Sequence, residues 1–170
     1  MYYEVIDNYL PEEDWNDISN FVWSMDMPWY YSEKFIEGGN PKHFFFVHLL
    51  FNANTKEKSF VMNNHVKSFF DKLNVKNLRR AQMNCYPRTE NQIISEAHTD
   101  FFNVDFKFKS AIYSINTNNG ATILHLPDGD VKVNSKKNRL VIFDGLIMHR
   151  AVTQTDTNLR LNFNVVFSDE

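Results

Sequence analysis

Cysteine is nearly missing from this chain: Cys85 is the only one in 170 residues. No intramolecular disulfide can form, and a thiolate metal cluster is excluded. Glycine and proline number five each, too few for a low-complexity or collagen-like chain. Excess positive charge is lacking as well, because 18 Lys and Arg face 21 Asp and Glu for a net charge of -3. Phosphate backbones are gripped by basic domains or stripes, so nucleic acid is a disfavoured partner. Long apolar runs are also wanting: the densest, His43 to Phe51, is about half the length of a membrane span. The opening segment MYYEVIDNYLPEEDW is acidic and interrupted by Pro11, unlike the basic and then apolar start of a secretory signal. These absences predict a cytoplasmic protein without membrane association.

What the chain has in quantity is aromatic and aliphatic bulk. Phe occurs 16 times and 43% of residues are hydrophobic, enough for one domain over 1–170 to bury a core without staples. Pro11 to Met25 reads as a helix, with acidic Glu12, Glu13 and Asp14 at its positive end and Trp15, Ile18, Val22 and Met25 on one face. Thr55 to Leu73 reads as a second, with Met62, Val66, Phe69 and Leu73 as its stripe. Pro28 to Tyr31 and Glu37 to Pro41 read as loop or edge structure, and Phe44 to Phe51 as a buried strand.

After residue 77 short apolar runs replace the helical period. Strands are expected at Leu78–Tyr86, His98–Asp100, Ser110–Asn116, Ala121–Leu126, Val131–Val133, Arg139–Phe143 and Leu159–Phe167. Turns are expected at Thr117–Gly120, Pro127–Asp130 and Ser135–Asn138. This pattern predicts a mostly β (α+β) fold, a double-stranded β-helix or jelly roll over 78–170, with two supporting helices within 1–77.

On an extended strand, His98 and Asp100 share a face, so an imidazole and a carboxylate converge. His149, after the Arg139–Phe143 strand and the Gly145 turn, is a candidate third ligand. Two imidazoles and one carboxylate on one face of an ion suit iron(II) and leave open positions for chemistry. Arg160 lies eleven residues beyond His149 (160 minus 149) in a segment that alternates cleanly. Leu159, Leu161, Phe163, Val165 and Phe167 share one face, and Arg160, Asn162 and Asn164 the other. No acidic residue on that strand can pair with the guanidinium, which makes a bound carboxylate its natural partner.

In this order and spacing, His98-x-Asp100, then His149 after 51 residues (149 minus 98), then Arg160, the chain resembles the iron(II)/2-oxoglutarate-dependent oxygenase superfamily. The resemblance is strongest to its prolyl 4-hydroxylase-like branch. Asn84-Cys85-Tyr86-Pro87, Ile112 to Asn116 with Gly120, and Asn138 to Asp144 resemble further strands of that branch. The resemblance implies that His98, Asp100 and His149 bind iron(II) and that Arg160 pairs with the distal carboxylate of 2-oxoglutarate. Tyr86, Ser114 and Asn162 are implied in the co-substrate pocket, Ser114 standing where family members often carry a polar aromatic. Dioxygen is the implied oxidant, with ascorbate a further candidate cofactor. The implied reaction hydroxylates an aliphatic C–H of a peptide or small molecule, a prolyl residue among the options, and releases succinate and carbon dioxide.

Two other functions compete. Asn84-x-Tyr86 and Arg160-x-Asn162 also resemble alkylation-repair demethylases, although that branch carries a second arginine where this chain has Val166. The other is an inert jelly-roll binding or structural module that keeps the ligands without turnover. His43, His48, His65 and His125 are expected to be packed or solvated, Cys85 a buried small hydrophobe, and Asp105 and Asp144 structural. Arg139 and Arg150 are weaker partners for a carboxylate than Arg160. Residues 88–97 are either a lid or a simple connection, and Trp29, Tyr30 and Tyr31 either line a cleft or belong to the core.

Overall fold

Period-two alternation sorts this chain into an apolar face for the core and a polar face for a cavity. The computed structural model describes residues 2–33 and 44–168; His43 and the expected turn at Glu37 to Pro41 lie outside them. The first half holds β1 (Tyr3–Ile6), α1 (Glu12–Val22), β2 (Tyr30–Ser32), β3 (Phe45–Asn52), β4 (Glu57–Lys58), α2 (Phe60–Asn64) and α3 (Lys67–Leu73). The second half holds β5 (Asn77–Pro87), β6 (Lys109–Ser114), β7 (Ala121–Leu126), β8 (Gly129–Asn134), β9 (Arg139–Asp144), β10 (His149–Val152) and β11 (Leu159–Ser168). One sheet runs β1-β9-β6-β11-β5-β3-β2 with β4 beside β3; the other runs β10-β7-β8. The neighbours pair antiparallel, and the two sheets form the expected jelly roll.

The odd-numbered residues of β5 and β11 (Ala81, Met83, Cys85; Leu161, Phe163, Val165) are buried in one core with Ile18, Val22, Val61 and Phe69 from the helices. Phe69 is wholly buried and meets Tyr9, Tyr113 and Phe163 ring to ring. Burying such a side chain stabilises the fold by about 1.5–3 kcal/mol. A second, smaller core of Ile112, Leu124, Val133, Val141, Phe143 and Ile147 packs between the two sheets. The even-numbered faces of β5 and β11 are left to line the space that remains there.

Several elements differ from expectation for identifiable reasons. The helix predicted over Thr55 to Leu73 starts late, because Glu57 and Lys58 pair with β3 and the Ser59 side chain then caps α2 by accepting from Val61 N, and it is split in two where His65 and Val66 leave the helical region at φ -124 and -119. The apolar stripe survives the break, with Val66 and Phe69 fully buried. α1 stops at Val22, and Met25 stands wholly exposed. Strands β1, β4 and β10 are too short to show a period, while β2 is an edge strand where loop or edge structure was expected. β1 nevertheless pairs with β9 from Tyr3↔Phe143 to Ile6↔Leu140. Just beyond it Asn138, in the left-handed region at φ 57, clasps the N-terminal segment. Its Oδ1 accepts from Leu10 N and the Tyr113 hydroxyl, each at 2.8 Å, and its Nδ2 donates to Leu10 O at 2.9 Å.

Candidate metal centre

His98 and Asp100 do not lie on a strand. An isolated antiparallel bridge brings His98 to His149 instead, with His98 N donating to His149 O at 3.1 Å and His149 N donating to His98 O at 2.9 Å. That bridge sets the two imidazoles side by side, with ring centres 4.5 Å apart. Nδ1 of His98 lies 3.1 Å from Glu96 O, and Nδ1 of His149 lies 3.3 Å from Ile147 O. A carbonyl can only accept, so each Nδ1 is the donor, and in the neutral ring that tautomer leaves the Nε2 lone pair to ligate. His149 Nε2 lies 3.8 Å from Asp100 Oδ2, and one ligand atom from each of the three residues falls within 4.8 Å of the others. Two neutral imidazoles and a carboxylate so gathered fit a divalent transition metal.

The Asp100 side chain is 3% exposed and is held by three donors. Arg80 Nη2 and Asn164 Nδ2 donate to Oδ1 at 2.6 and 3.0 Å, and Ser110 Oγ donates to Oδ2 at 2.5 Å. Burial pushes the carboxyl pKa upward, but the charges of Arg80 and His149 and the bonds from Ser110 and Asn164 outweigh it, and the net shift is downward. His149 is shifted below the ordinary histidine value, chiefly by burial, with Asp100 opposing and His98 adding to the shift. Both groups are thereby kept in their ligating forms at neutral pH.

A cavity of about 860 Å³ opens beside these residues, lined among others by Arg80, Asn84, Tyr86, Arg160, Asn162 and Asn164. Arg160 is 2% exposed. Its Nε donates to Ser135 Oγ at 2.9 Å and its Nη2 to Ala121 O at 3.2 Å, while the Tyr86 ring faces its Cζ at 5.2 Å. Among the described residues no carboxylate pairs with it, and burial depresses its pKa. A cation buried without a counter-ion is costly unless an anion joins it. Room for the side chain depends on Gly120, where a Cβ would lie 2.7 Å from Arg160 Cδ and 2.8 Å from Val152 O. Between Arg160 and Asp100 runs a chain of amides, Gln82 Nε2 donating to Asn84 Oδ1 at 2.9 Å and Asn84 Nδ2 to Asn162 Oδ1 at 3.1 Å.

Tyr86 and Asn162 therefore share the cavity with His98, Asp100 and His149. Ser114, the cross-strand partner of Asn162, is buried but stands outside that cavity wall. Trp29, Tyr30 and Tyr31 also stand outside it, where Ser32 and Glu33 contribute instead. His48 is satisfied by Pro28 O and Ser59 Oγ, His65 stacks on Phe21, and His125 contacts Asp130. Arg139 is paired with Asp7, and Asp144 Oδ1 accepts from Leu146 N. Residues 88–97 are tied along the edge of β10: Ser95 N donates to Ala151 O at 2.9 Å and Ile93 N to Thr153 Oγ1 at 2.8 Å. Of this segment only Ser95 lines the cavity. Sequence reasoning missed Arg80 and Gln82, although the alternation Arg80, Gln82, Asn84, Tyr86 mirrors the one on β11 and was the available signal.

No family model matches the sequence, and no curated protein is significantly similar to it in sequence. Solved structures are similar to it in fold. A prolyl-4-hydroxylase from Pseudomonas putida is 14% identical and superposes with a TM-score of 0.72 over 99% of this chain and 93% of its own. An oxidoreductase of the 2OG-Fe(II) oxygenase family from Burkholderia pseudomallei is 14% identical, with a TM-score of 0.68 over 99% of this chain and 85% of its own. A prolyl hydroxylase from Trichoplax adhaerens, solved in complex with a hypoxia inducible factor oxygen degradation domain peptide fragment, is 16% identical, with a TM-score of 0.68 over 98% and 83%. At these identities the likeness is one of fold.

Proposed function

From that shared fold and the site within it, we propose that the chain is an iron(II)- and 2-oxoglutarate-dependent dioxygenase that hydroxylates an aliphatic C–H, a prolyl residue of a peptide being one candidate. The observation that carries this is a single cavity holding both a His-Asp-His donor set, atoms within 4.8 Å of one another, and a buried guanidinium with no acidic partner among the described residues. When bound, iron(II) with 2-oxoglutarate and dioxygen supplies oxidative hydroxylation with release of succinate and carbon dioxide.

The chain's own residues supply binding and orientation. His98 and His149 offer Nε2, held in that tautomer by the carbonyls of Glu96 and Ile147. Asp100 offers a carboxylate kept ionised against burial. Arg160 provides a forked cation for the distal carboxylate of the keto acid, on a floor already bound to Ser135 and Ala121. Tyr86 walls the guanidinium off from water, and its hydroxyl stays protonated because burial raises its pKa. The amide chain aligns Asn162 as a polar contact for the co-substrate, since its Oδ1 is occupied by Asn84 and its NH2 is left to donate.

A demethylase reading draws support from Asn84 and Tyr86 lining the same cavity, and from Arg80 being the cross-strand partner of Val166. The net charge of -3 weighs against a nucleic-acid substrate. Succinate release from 2-oxoglutarate, measured with and without iron(II) over prolyl peptides, small metabolites and methylated oligonucleotides, tests the proposal. Iron-dependent turnover that is lost in His98→Ala is expected, and turnover fully retained in that variant ends the ligand assignment. Metal uptake without turnover on any substrate favours the inert module.

A further inference from the structure

We infer that Arg80 is a positioning residue that fixes the carboxylate of Asp100 for metal ligation, an inference that rests on the metal reading above. Asp100 lies in a bend with no ladder of backbone hydrogen bonds to aim it. Its orientation is imposed from outside, by Arg80 on β5, Ser110 on β6 and Asn164 on β11. Arg80 Nη2 reaches both Asp100 Oδ1 at 2.6 Å and Asn164 Oδ1 at 3.2 Å. It therefore ties the carboxylate to the strand that also carries Arg160. Oδ1 is then committed to two donors, and Oδ2, which accepts from Ser110, is the oxygen that faces His149 Nε2 at 3.8 Å. The carboxylate is set to ligate through Oδ2 alone.

Strand stability does not account for this arginine. Its cross-strand partners are Val166 on β11 and Asn52 on β3, neither of which calls for a cation opposite it. Its Nε is buried with no acceptor among the described residues, a cost that a purely structural side chain in a native sheet rarely carries. The gain that offsets it is the charge-assisted contact with Asp100, whose side chain is 3% exposed against 24% for Arg80. Groups that orient metal ligands govern affinity as well as activity, so the consequence is measurable without turnover.

Cobalt(II) titrated into the metal-free full chain, followed by visible d–d absorption and by calorimetry, reads ligand geometry and affinity together. Arg80→Met is expected to bind roughly 10- to 100-fold more weakly, with an altered d–d spectrum as the freed carboxylate turns. Arg80→Lys, which restores charge without the fork, is expected to recover part of the affinity. Asn164→Leu removes the other donor to Oδ1; it is expected to move both readouts the same way, and it carries the test if Arg80→Met does not fold. Cobalt affinity and spectrum unchanged in the folded variants overturn the role of Arg80 and leave the metal site standing. A folded, unsubstituted chain that takes up no cobalt overturns the metal reading and this inference together.

Discussion

Replacing Arg160 by Met separates a co-substrate anchor from a structural arginine, because the two roles predict opposite patterns. As an anchor, Arg160 forms a buried, hydrogen-bonded charge pair with the ligand. Truncating one side of such a pair costs about 2–5 kcal/mol, which is between roughly 30-fold and several-thousand-fold in the dissociation constant for 2-oxoglutarate. The ligand-free protein behaves differently. There the substitution forfeits the bonds to Ser135 Oγ and Ala121 O, about 1.5–3 kcal/mol each for a charged donor. It also relieves the burial of a cation that is 2% exposed and has no carboxylate partner among the described residues, an effective penalty of several kcal/mol. These nearly cancel, so ligand-free stability should shift by no more than about 2 kcal/mol in either direction. Anaerobic calorimetric titration of 2-oxoglutarate with manganese(II) in place of iron, beside urea unfolding of the ligand-free chain, measures both. A large loss of stability with undiminished 2-oxoglutarate binding would refute the anchor and make Arg160 a structural tie between β11 and the β7–β8 sheet.

Gly120→Ala places a Cβ within 2.8 Å of both Arg160 Cδ and Val152 O; it should destabilise by about 1–3 kcal/mol and weaken 2-oxoglutarate binding in the same titration. Asn138→Ala forces a non-Asn residue to φ 57 and strips partners from Leu10 and Tyr113. A loss of about 3–5 kcal/mol is expected, seen as a lower urea midpoint at unchanged slope. His149 has a folded pKa below its unfolded value of about 6.5, so the unfolded chain takes up the proton first as pH falls. The stability this group contributes is present above about pH 6.5 and lost below it, as its folded pKa is approached. Thermal unfolding of the metal-free chain should show that decline, and His149→Gln should flatten it; an identical slope in the variant refutes the assignment.

Much of the site was legible because strand geometry has a period of two. Arg160, Asn162 and Asn164 on one face of β11, opposite Leu161, Phe163 and Val165, mark which side chains enter the cavity and which enter the core, before any coordinates. The ordered His98, Asp100 and His149 were legible as donor types. How they meet was not: strand periodicity suggested a shared face for His98 and Asp100, whereas a bridge joins His98 to His149 and side chains of three strands hold Asp100. The break between α2 and α3 is hidden for a related reason, since the apolar stripe continues through it while the backbone leaves the helical region at His65 and Val66.

Side-chain chemistry and alternation, both local, are what the chain's order of residues determined by itself: the mostly β character, the core stripe, the donor types and a strand that carries Arg160 beside no acid. Partnership across the sheets was decided by the tertiary structure. Arg80 reaches Asp100 twenty positions away and Asn164 reaches it sixty-four away, and Asn138 holds Leu10 across 128 positions. Periodicity states which face a residue occupies and carries no information about which strand lies beside it. Contacts that aim a carboxylate or seal a guanidinium therefore emerge only once the sheets have closed.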